Sequence, residues 1–284
     1  MNGKIKIANI LVDSIPFIQE FRNSTIVIKY GGSAQQNLEL KENFAKDIIL
    51  LYMLGIRIVI VHGGGSKITQ MLESLKIESK FINGIRVTSK EAMKVVEMVL
   101  NGDINRELTF FFNLNKIKAV GISGKDAGLL QAKPLDFDTF GFSGEITKVD
   151  TKILIKLLDD GFLPVVAPIA SGDNLEHPGF NINADSAACE IAKALNANKV
   201  IFLTDTKGVL DENSELIPTL TPQSAKKYKD LNIITGGMIP KIDACVSCVK
   251  NGVQKVHIID GRILHSILLE LFTTQGIGTQ IINE

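Results

Sequence analysis

Short, nearly continuous apolar runs alternate along this chain with stretches in which apolar residues recur every three or four positions. "STIVIKY" (24–30), "RIVIVH" (57–62), "LPVVAPI" (163–169), "KVIFLTD" (199–205) and "KVHIID" (255–260) are rich in β-branched residues, the pattern of strands covered on both faces. "ENFAKDIILLYMLG", "SAACEIAKALNA" and "HSILLELFTTQG" lie between or after them and carry the helical period. Strand and helix in alternation predict an α/β fold, an open and mainly parallel twisted sheet sandwiched by helices. Segments 80–88 and 128–146, punctuated by Gly84, Gly128, Gly141 and Gly144, predict hairpins hung on that sheet. Ahead of the first strand, Ile7, Leu11, Ile15, Ile18 and Phe21 recur at helical spacing. They predict an N-terminal extension helix, kinked at Pro16.

Composition narrows the function. The 284 residues carry 31 basic and 31 acidic side chains, so no net field draws nucleic acid or an anionic membrane surface. No run of 18 apolar residues predicts a membrane span, and Asn9 and Asp13 interrupt the first apolar stretch, against a secretory leader. Three cysteines, an odd number, point to a reducing compartment. Cys245 and Cys248 are spaced C-x-x-C without a second pair to complete a zinc site, and their helical spacing predicts core packing.

The candidate chemistry lies beyond the carboxyl ends of the predicted strands, where open α/β sheets bind ligands. "KYGGSA" (29–34) follows the first strand and "HGGGSK" (62–67) the second. Each places bare backbone N–H groups beside a helix start, which suits phosphate oxygens. A tight turn uses glycine for geometry alone, but two such turns within 40 residues, one preceded by Lys29, favour an anion site. Neither is a Walker A loop or a dinucleotide fingerprint, and "GISGKDAG" (121–128) has Asp126 where a Walker loop needs Ser or Thr.

A charge conflict points the same way. In "GGMIPKIDACVSCVK" (236–250), Pro240 suits the first position of a helix, which puts Lys241 in the first turn, at the positive end of the dipole. Either Lys241 extends into water or an anion stands between it and the helix. "NINADSAACE" (181–190) supplies Asp185 at another helix start, as an N-cap or as the carboxylate that holds two lysines. His62, before the glycines, is read as structural.

These segments together resemble the acetylglutamate kinases of the amino acid kinase family. "IVIKYGGSA", "IVIVHGGGSKI", "FINGIRVTS", "FNINADSAACEIA", "FLTDTKGVL" and "GGMIPKIDAC" occur in that family's order, from residue 24 to the C-terminus. The resemblance implies transfer of the γ-phosphoryl of ATP, with Mg²⁺, to the side-chain carboxylate of N-acetyl-L-glutamate. By position it makes Lys29 and Lys241 the transition-state lysines, with Asp185 organising them. Gly31, Gly32 and Gly63 would line the phosphates, Gly64 and Gly65 the substrate, and Asp205 would lie towards ATP. Arg86 would grip the substrate α-carboxylate and Asn181 would contact the acetylated amino acid. Residues 23–195 would form the amino-acid lobe and 196–284 the nucleotide lobe. Lys125, Asp126 and Ser143 depart from the family pattern and would bear on substrate affinity.

The ends of the chain resemble the arginine-inhibited branch. Residues 1–22 would interlace subunits into a homo-oligomer, a hexamer built as a trimer of dimers, with the alternative that they pack on their own subunit. His257, Glu270 and Gly276 match that branch's effector region. For Glu270, "HSILLELF" leaves two readings, a carboxylate pointing outward or one meeting the guanidinium of L-arginine. A PII-type signalling protein is a further possible partner under this resemblance. The implied setting is the cytoplasm, or the plastid stroma for a plastid-encoded chain. A glutamate 5-kinase or uridylate kinase would share the phosphate chemistry, but the "NGIRVT" and "NINAD" contexts speak against both. A non-catalytic nucleotide-binding regulator would not need Lys29, Lys241 and Asp185 together.

Overall fold

In the strand Thr25–Tyr30, Ile26, Ile28 and Tyr30 face one core and Val27 faces another, because successive side chains leave a strand on opposite sides. This strand runs through the middle of an eight-stranded sheet in a computed structural model. The structure describes residues 2–32, 37–172, 174 and 177–283, without the side chains of 2, 3, 6 and 7. Ser33 and Ala34 of the first glycine turn, and the Ile7 side chain, therefore lie outside the described residues. Across the sheet the order is Thr219–Leu220, Thr279–Ile282, Lys255–Asp260, Lys199–Thr204, Thr25–Tyr30, Arg57–His62, Leu163–Ala167 and Ala119–Ser123. Neighbours are parallel except Lys255–Asp260 with Thr279–Ile282.

The first half of the chain supplies Thr25–Tyr30 and the three strands on one side of it, and Lys199–Thr204 then pairs on its other side and begins the second half. In open α/β sheets the ligand-binding crevice lies where the direction reverses, here at the carboxyl ends of these two strands. Lys29 stands there, in register with Phe202. Helices Leu38–Met53, Gly65–Ser74, Lys90–Glu97 and Asn105–Leu114 cover the face shared by Ile26 and Ile28. Helices Ala184–Ala194 and Met238–Lys250 cover the opposite face. Period 2 sends Lys29 to that second face along with Val27, towards both helices.

A smaller sheet, in the order Leu130–Pro134, Ser143–Val149, Phe180–Ile182 and Ile169–Ala170, and the hairpin Lys80–Ile82 with Ile85–Val87 flank the crevice side. "LPVVAPI" divides at Pro168: the residues before it belong to the large sheet and Ile169 to the small one. Pro168 has no N–H with which to continue a ladder. Ala119–Ser123 is a strand that the apolar pattern does not reveal, since Gly121 and Gly124 interrupt it. A Cβ on Gly121 would lie 1.9 Å from Asn105 Oδ1, so this glycine marks the close approach of a helix.

The N-terminal extension is two helices, Asn2–Asp13 and Ile15–Phe21, broken at Ser14, with Pro16 in the first turn of the second. Phe21 is buried, and Phe17 and Phe21 meet the Phe272 ring edge-on at 6.4 and 6.2 Å. The first helix instead leaves Ile5, Ile10, Leu11 and Val12 more than half exposed. At the other end, the helix expected through residue 276 covers only Ser266–Leu271. The backbone turns back after it so that two later N–H groups reach Glu270. Among the described residues no helix is long and apolar enough to cross a membrane.

Candidate active site

Three charged side chains from three elements meet at the crevice. Lys29 Nζ lies 2.9 Å from Asp185 Oδ1, as an ion pair rather than an aligned hydrogen bond, and Lys241 donates to Asp185 Oδ2. Asp185 is not the cap of its helix. Asn183 is, its side-chain oxygen accepting from the N–H groups of Asp185 (2.9 Å) and Ser186 (3.1 Å). That frees the Asp185 carboxylate to face the lysines. The second helix starts at Met238, two residues before Pro240, and Lys241 is its fourth residue. Lys241 does not extend into water: its side chain is 15% exposed and its ammonium sits 5.6 Å from the Phe202 ring centroid. Burial alone would raise the Asp185 pKa. The charges of Lys29 and Lys241, together with the hydrogen bond from Lys241, prevail and hold it at about 2. At neutral pH the triad is an anion between two cations, net positive, beside two helix N-termini. A phosphoryl group can use both lysines while Asp185 holds them.

The glycine turns fit around this triad. A Cβ on Gly31 would fall 2.9 Å from Lys29 Nζ, so the glycine leaves room for the lysine to cross the strand end. Gly32 adopts φ +71°, a conformation costly for other residues. The Gly63 N–H donates to the Tyr30 carbonyl at 2.8 Å, which ties the second turn to the end of the first strand. Gly64 caps the helix Gly65–Ser74, and a Cβ there would lie 2.4 Å from Ile104 Cδ1 and 2.7 Å from Leu100 Cδ2. Both neighbours belong to the wide-turn helical segment Met98–Ile104.

Arg86, from the small hairpin, is buried with its guanidinium 4.5 Å from the Phe81 ring centroid. It donates to Ser79 Oγ (2.6 Å), Thr69 Oγ1 (2.9 Å) and the Gly65 carbonyl (3.0 Å). Burial lowers its pKa. Among the described residues no carboxylate pairs with it. A buried guanidinium held only by neutral oxygens keeps its charge uncompensated and has the chemistry to receive an anion. Its strand is fixed by a relay of donors. Asn181 Nδ2 donates to Thr88 Oγ1 (3.2 Å), Thr88 to Ser143 Oγ (2.9 Å), and Ser143 to the Arg86 carbonyl (2.5 Å). Ser143 thus shares one network with Arg86 and Asn181. The contributions of Ser79, Thr69 and Thr88 have no sequence signature, because hydroxyls become positioning groups only once the fold brings them close, whereas Asn183 directly before a helical run is a local cap signal.

The amino acid kinase family model matches residues 24–260 of the chain. The chain belongs to the amino acid kinase family. Within it, the chain lies among the acetylglutamate kinases. It is 61% identical over 274 residues to that of Helicobacter hepaticus, covering 96% of this chain and 98% of the relative. It is 59% identical to that of Wolinella succinogenes over 284 residues and the full length of both chains. Among solved structures, N-acetylglutamate synthase of Neisseria gonorrhoeae with coenzyme A and N-acetyl-glutamate superposes with a TM-score of 0.86 at 28% identity. That match covers 98% of this chain and 63% of the synthase. The same synthase with coenzyme A and L-arginine gives a TM-score of 0.81 at 26% identity, over 98% and 65% of the two chains.

As a kinase the protein uses ATP. Asp205 stands exposed just past the strand Lys199–Thr204, and the neighbouring strand ends at Asp260, whose carboxylate takes two bonds from the Arg262 side chain (2.9 and 2.7 Å). Among the described residues no group of His, Cys, Asp and Glu could hold a metal by itself. "GISGKDAG" is a locked turn in this amino acid kinase. Asp126 accepts from the Ser123 N–H (2.6 Å) and hydroxyl (3.1 Å), while Lys125 pairs with Glu97 (2.8 Å) and donates to the Pro178 carbonyl (3.0 Å). Cys189, Cys245 and Cys248 are free thiols buried in the core.

His257, Glu270 and Gly276 also converge. His257 Nδ1 lies 2.6 Å from Glu270 Oε1, and Glu270 Oε2 accepts from the N–H groups of Ile277 (2.6 Å) and Gly278 (3.1 Å). Glu270 is therefore buried, which corrects the reading in which it points outward. Burial works against its ionisation, but His257 and the two N–H groups bring its pKa below the usual carboxylate range. Gly276 has φ +64°, and a Cβ there would meet Glu270 Oε2 at 2.7 Å.

Proposed function

We propose that the crevice transfers the γ-phosphoryl of MgATP to the side-chain carboxylate of N-acetyl-L-glutamate, giving N-acetylglutamyl 5-phosphate and ADP. The observation that carries this reading is the Lys29–Asp185–Lys241 triad at the reversal of strand order. A glutamate side-chain carboxylate, with a pKa of about 4.3, is already ionised at neutral pH, so no general base is required. One of its oxygens attacks the γ-phosphorus, and the bond to the β–γ bridging oxygen breaks with its electron pair leaving on ADP. The obstacle is the approach of two anions and the charge spread over the moving phosphoryl. Lys29, Lys241 and the N–H groups of both glycine turns address it. Mg²⁺ arrives as part of the nucleotide substrate, coordinated by phosphate oxygens.

In this reading Gly31, Gly32 and Gly63 line the phosphates, and Gly64 and Gly65 line the acceptor. Arg86 takes the α-carboxylate in a bidentate grip once Nη2 releases its bond to Thr69, and Asn181 contacts the acetylated amino acid. Residues 23–195 hold the amino acid and 196–284, including Asp205, the nucleotide. ATP-dependent hydroxamate formation tests the assignment: N-acetylglutamate should support it and free glutamate should not. Equal turnover of both, or none with either, would reject it.

We further propose inhibition by L-arginine through His257, Glu270 and Gly276, with oligomerisation through the first helix. The buried Glu270 carboxylate supports the first, as an anion able to exchange His257 for a guanidinium. The exposed Ile5, Ile10, Leu11 and Val12 support the second, because such a row gains by burial against other copies. The number of copies proposed is six, and a PII-type protein is a further proposed partner. The setting proposed is the cytoplasm or the plastid stroma, either of which keeps three thiols reduced.

A further inference from the structure

His62 is fully buried between the second strand and the helix Asn105–Leu114, and its ring is fixed on both sides. Nδ1 lies 3.1 Å from the Gly63 carbonyl, which can only accept, so Nδ1 carries the proton. Nε2 is then a bare acceptor, and Asn105 Nδ2 donates to it at 3.1 Å. The orientation of the Asn105 amide is fixed in turn. The other proton of the same nitrogen goes to the Val165 carbonyl (2.8 Å), with the Ile122 carbonyl (3.3 Å) as a weaker shared acceptor, while Oδ1 accepts from Arg106 (3.0 Å). The network defines one tautomer of a neutral ring. Burial supports that state by lowering the His62 pKa to about 4, against a weaker opposing effect of the Gly63 carbonyl.

The consequence lies in the next peptide unit. The Gly63 carbonyl and the Gly64 N–H share one planar trans peptide and point in opposite directions. Holding the carbonyl towards the buried ring turns the N–H away from the core. Among the described residues the Gly64 N–H donates to no protein acceptor. Gly64 has no freedom to drift inward, since Leu100 and Ile104 pack where its Cβ would be.

We propose that His62 is a positioning residue for phosphoryl transfer, whose Nδ1–H holds the Gly63 carbonyl and thereby aims the Gly64 N–H into the crevice. The inference rests on reading that crevice as the transfer site. Because aim matters more in the transition state than in the ground state, its loss appears in kcat rather than KM.

Three variants separate aiming from packing. His62→Phe fills the space without a donor, His62→Asn places an amide N–H near the former Nδ1, and His62→Gln places one near the former Nε2. His62→Phe should lower kcat by ~10-fold or more while both KM values stay within ~3-fold. His62→Asn should recover most of that loss and His62→Gln should not. Full kcat in His62→Phe, or equal rescue by Asn and Gln, would overturn the proposal. A second readout needs no variant. ¹H–¹⁵N correlation of the wild-type imidazoles at pH 7 should show His62 neutral with its proton on Nδ1, and a proton on Nε2 would overturn the proposal. If the wild type formed no hydroxamate, the phosphotransfer reading would fail, while the tautomer would still report on the His62–Gly63 contact.

Discussion

Replacing Asp185 by Asn keeps the size of the side chain and removes the charge that holds two lysines together. The native carboxyl is held at about 2 against an ordinary 3.8, a stabilisation on the order of 2–3 kcal/mol at about 1.36 kcal/mol per unit. The sign is that of a depressed carboxylate: the stabilisation is present above pH 3.8 and is lost as pH falls through about 2. With the charge gone, two ammonium groups roughly 5 Å apart repel by about 3 kcal/mol at an effective dielectric constant of about 20. Their side chains are 13% and 15% exposed, so they can relieve the repulsion by swinging towards water, which takes them off the phosphoryl group. The expected outcome is a kcat lower by ~10²-fold or more in the hydroxamate assay at saturating substrates. The melting temperature without ligand should fall by roughly 5–10 °C. MgATP restores an anion between the lysines, so it should raise the melting temperature of the variant more than that of the wild type. A kcat within twofold of wild type, or equal thermal shifts with MgATP, would refute the reasoning.

Arg86→Lys should raise KM for N-acetylglutamate ~10-fold or more with KM for ATP little changed, because an ammonium cannot reproduce the bidentate grip; steady-state kinetics on each substrate check it. Gly64→Ala pushes a methyl into Ile104 and Leu100 and should cost ~1–3 kcal/mol in urea unfolding together with a loss of kcat. The buried His62, lowered from 6.5 to about 4, binds its proton first in the unfolded chain, so it should remove up to about 3 kcal/mol of stability as pH falls from 6.5 to 4. His62→Asn should flatten that part of the stability–pH curve. Deleting residues 1–13, rather than 1–22, leaves Phe17 and Phe21 against Phe272. This deletion should lower the sedimentation coefficient, and Glu270→Ala should raise the arginine concentration for half-inhibition ~10-fold. Unchanged arginine response in both would reject the regulatory reading.

Much of the site was legible along the chain because its signals are local. A glycine pair after a β-branched run, a lysine in the first turn of a helix and an acid at another helix start each conflict with ordinary preferences within a few residues. Such conflicts recur here at strand ends and mark out the candidate site. The alternation of strand and helix likewise settles an α/β sheet with both faces covered, since nearly continuous apolar strands cannot face water. What the sequence left open is which partner each group finds. Asp185 read equally well as a helix cap, and only the fold shows that Asn183 takes the cap and frees the carboxylate. Glu270 read equally well as outward-facing, and only the return of residues 277 and 278 brings two N–H groups and leaves it buried against His257. Ala119–Ser123 was hidden because a glycine that admits a helix side chain looks, in sequence, like a loop glycine. Local backbone preference is encoded within a turn or two, whereas hydrogen-bond partners and close approaches depend on segments far apart in the chain. Those are decided only when the sheet closes its order and both helix layers pack upon it.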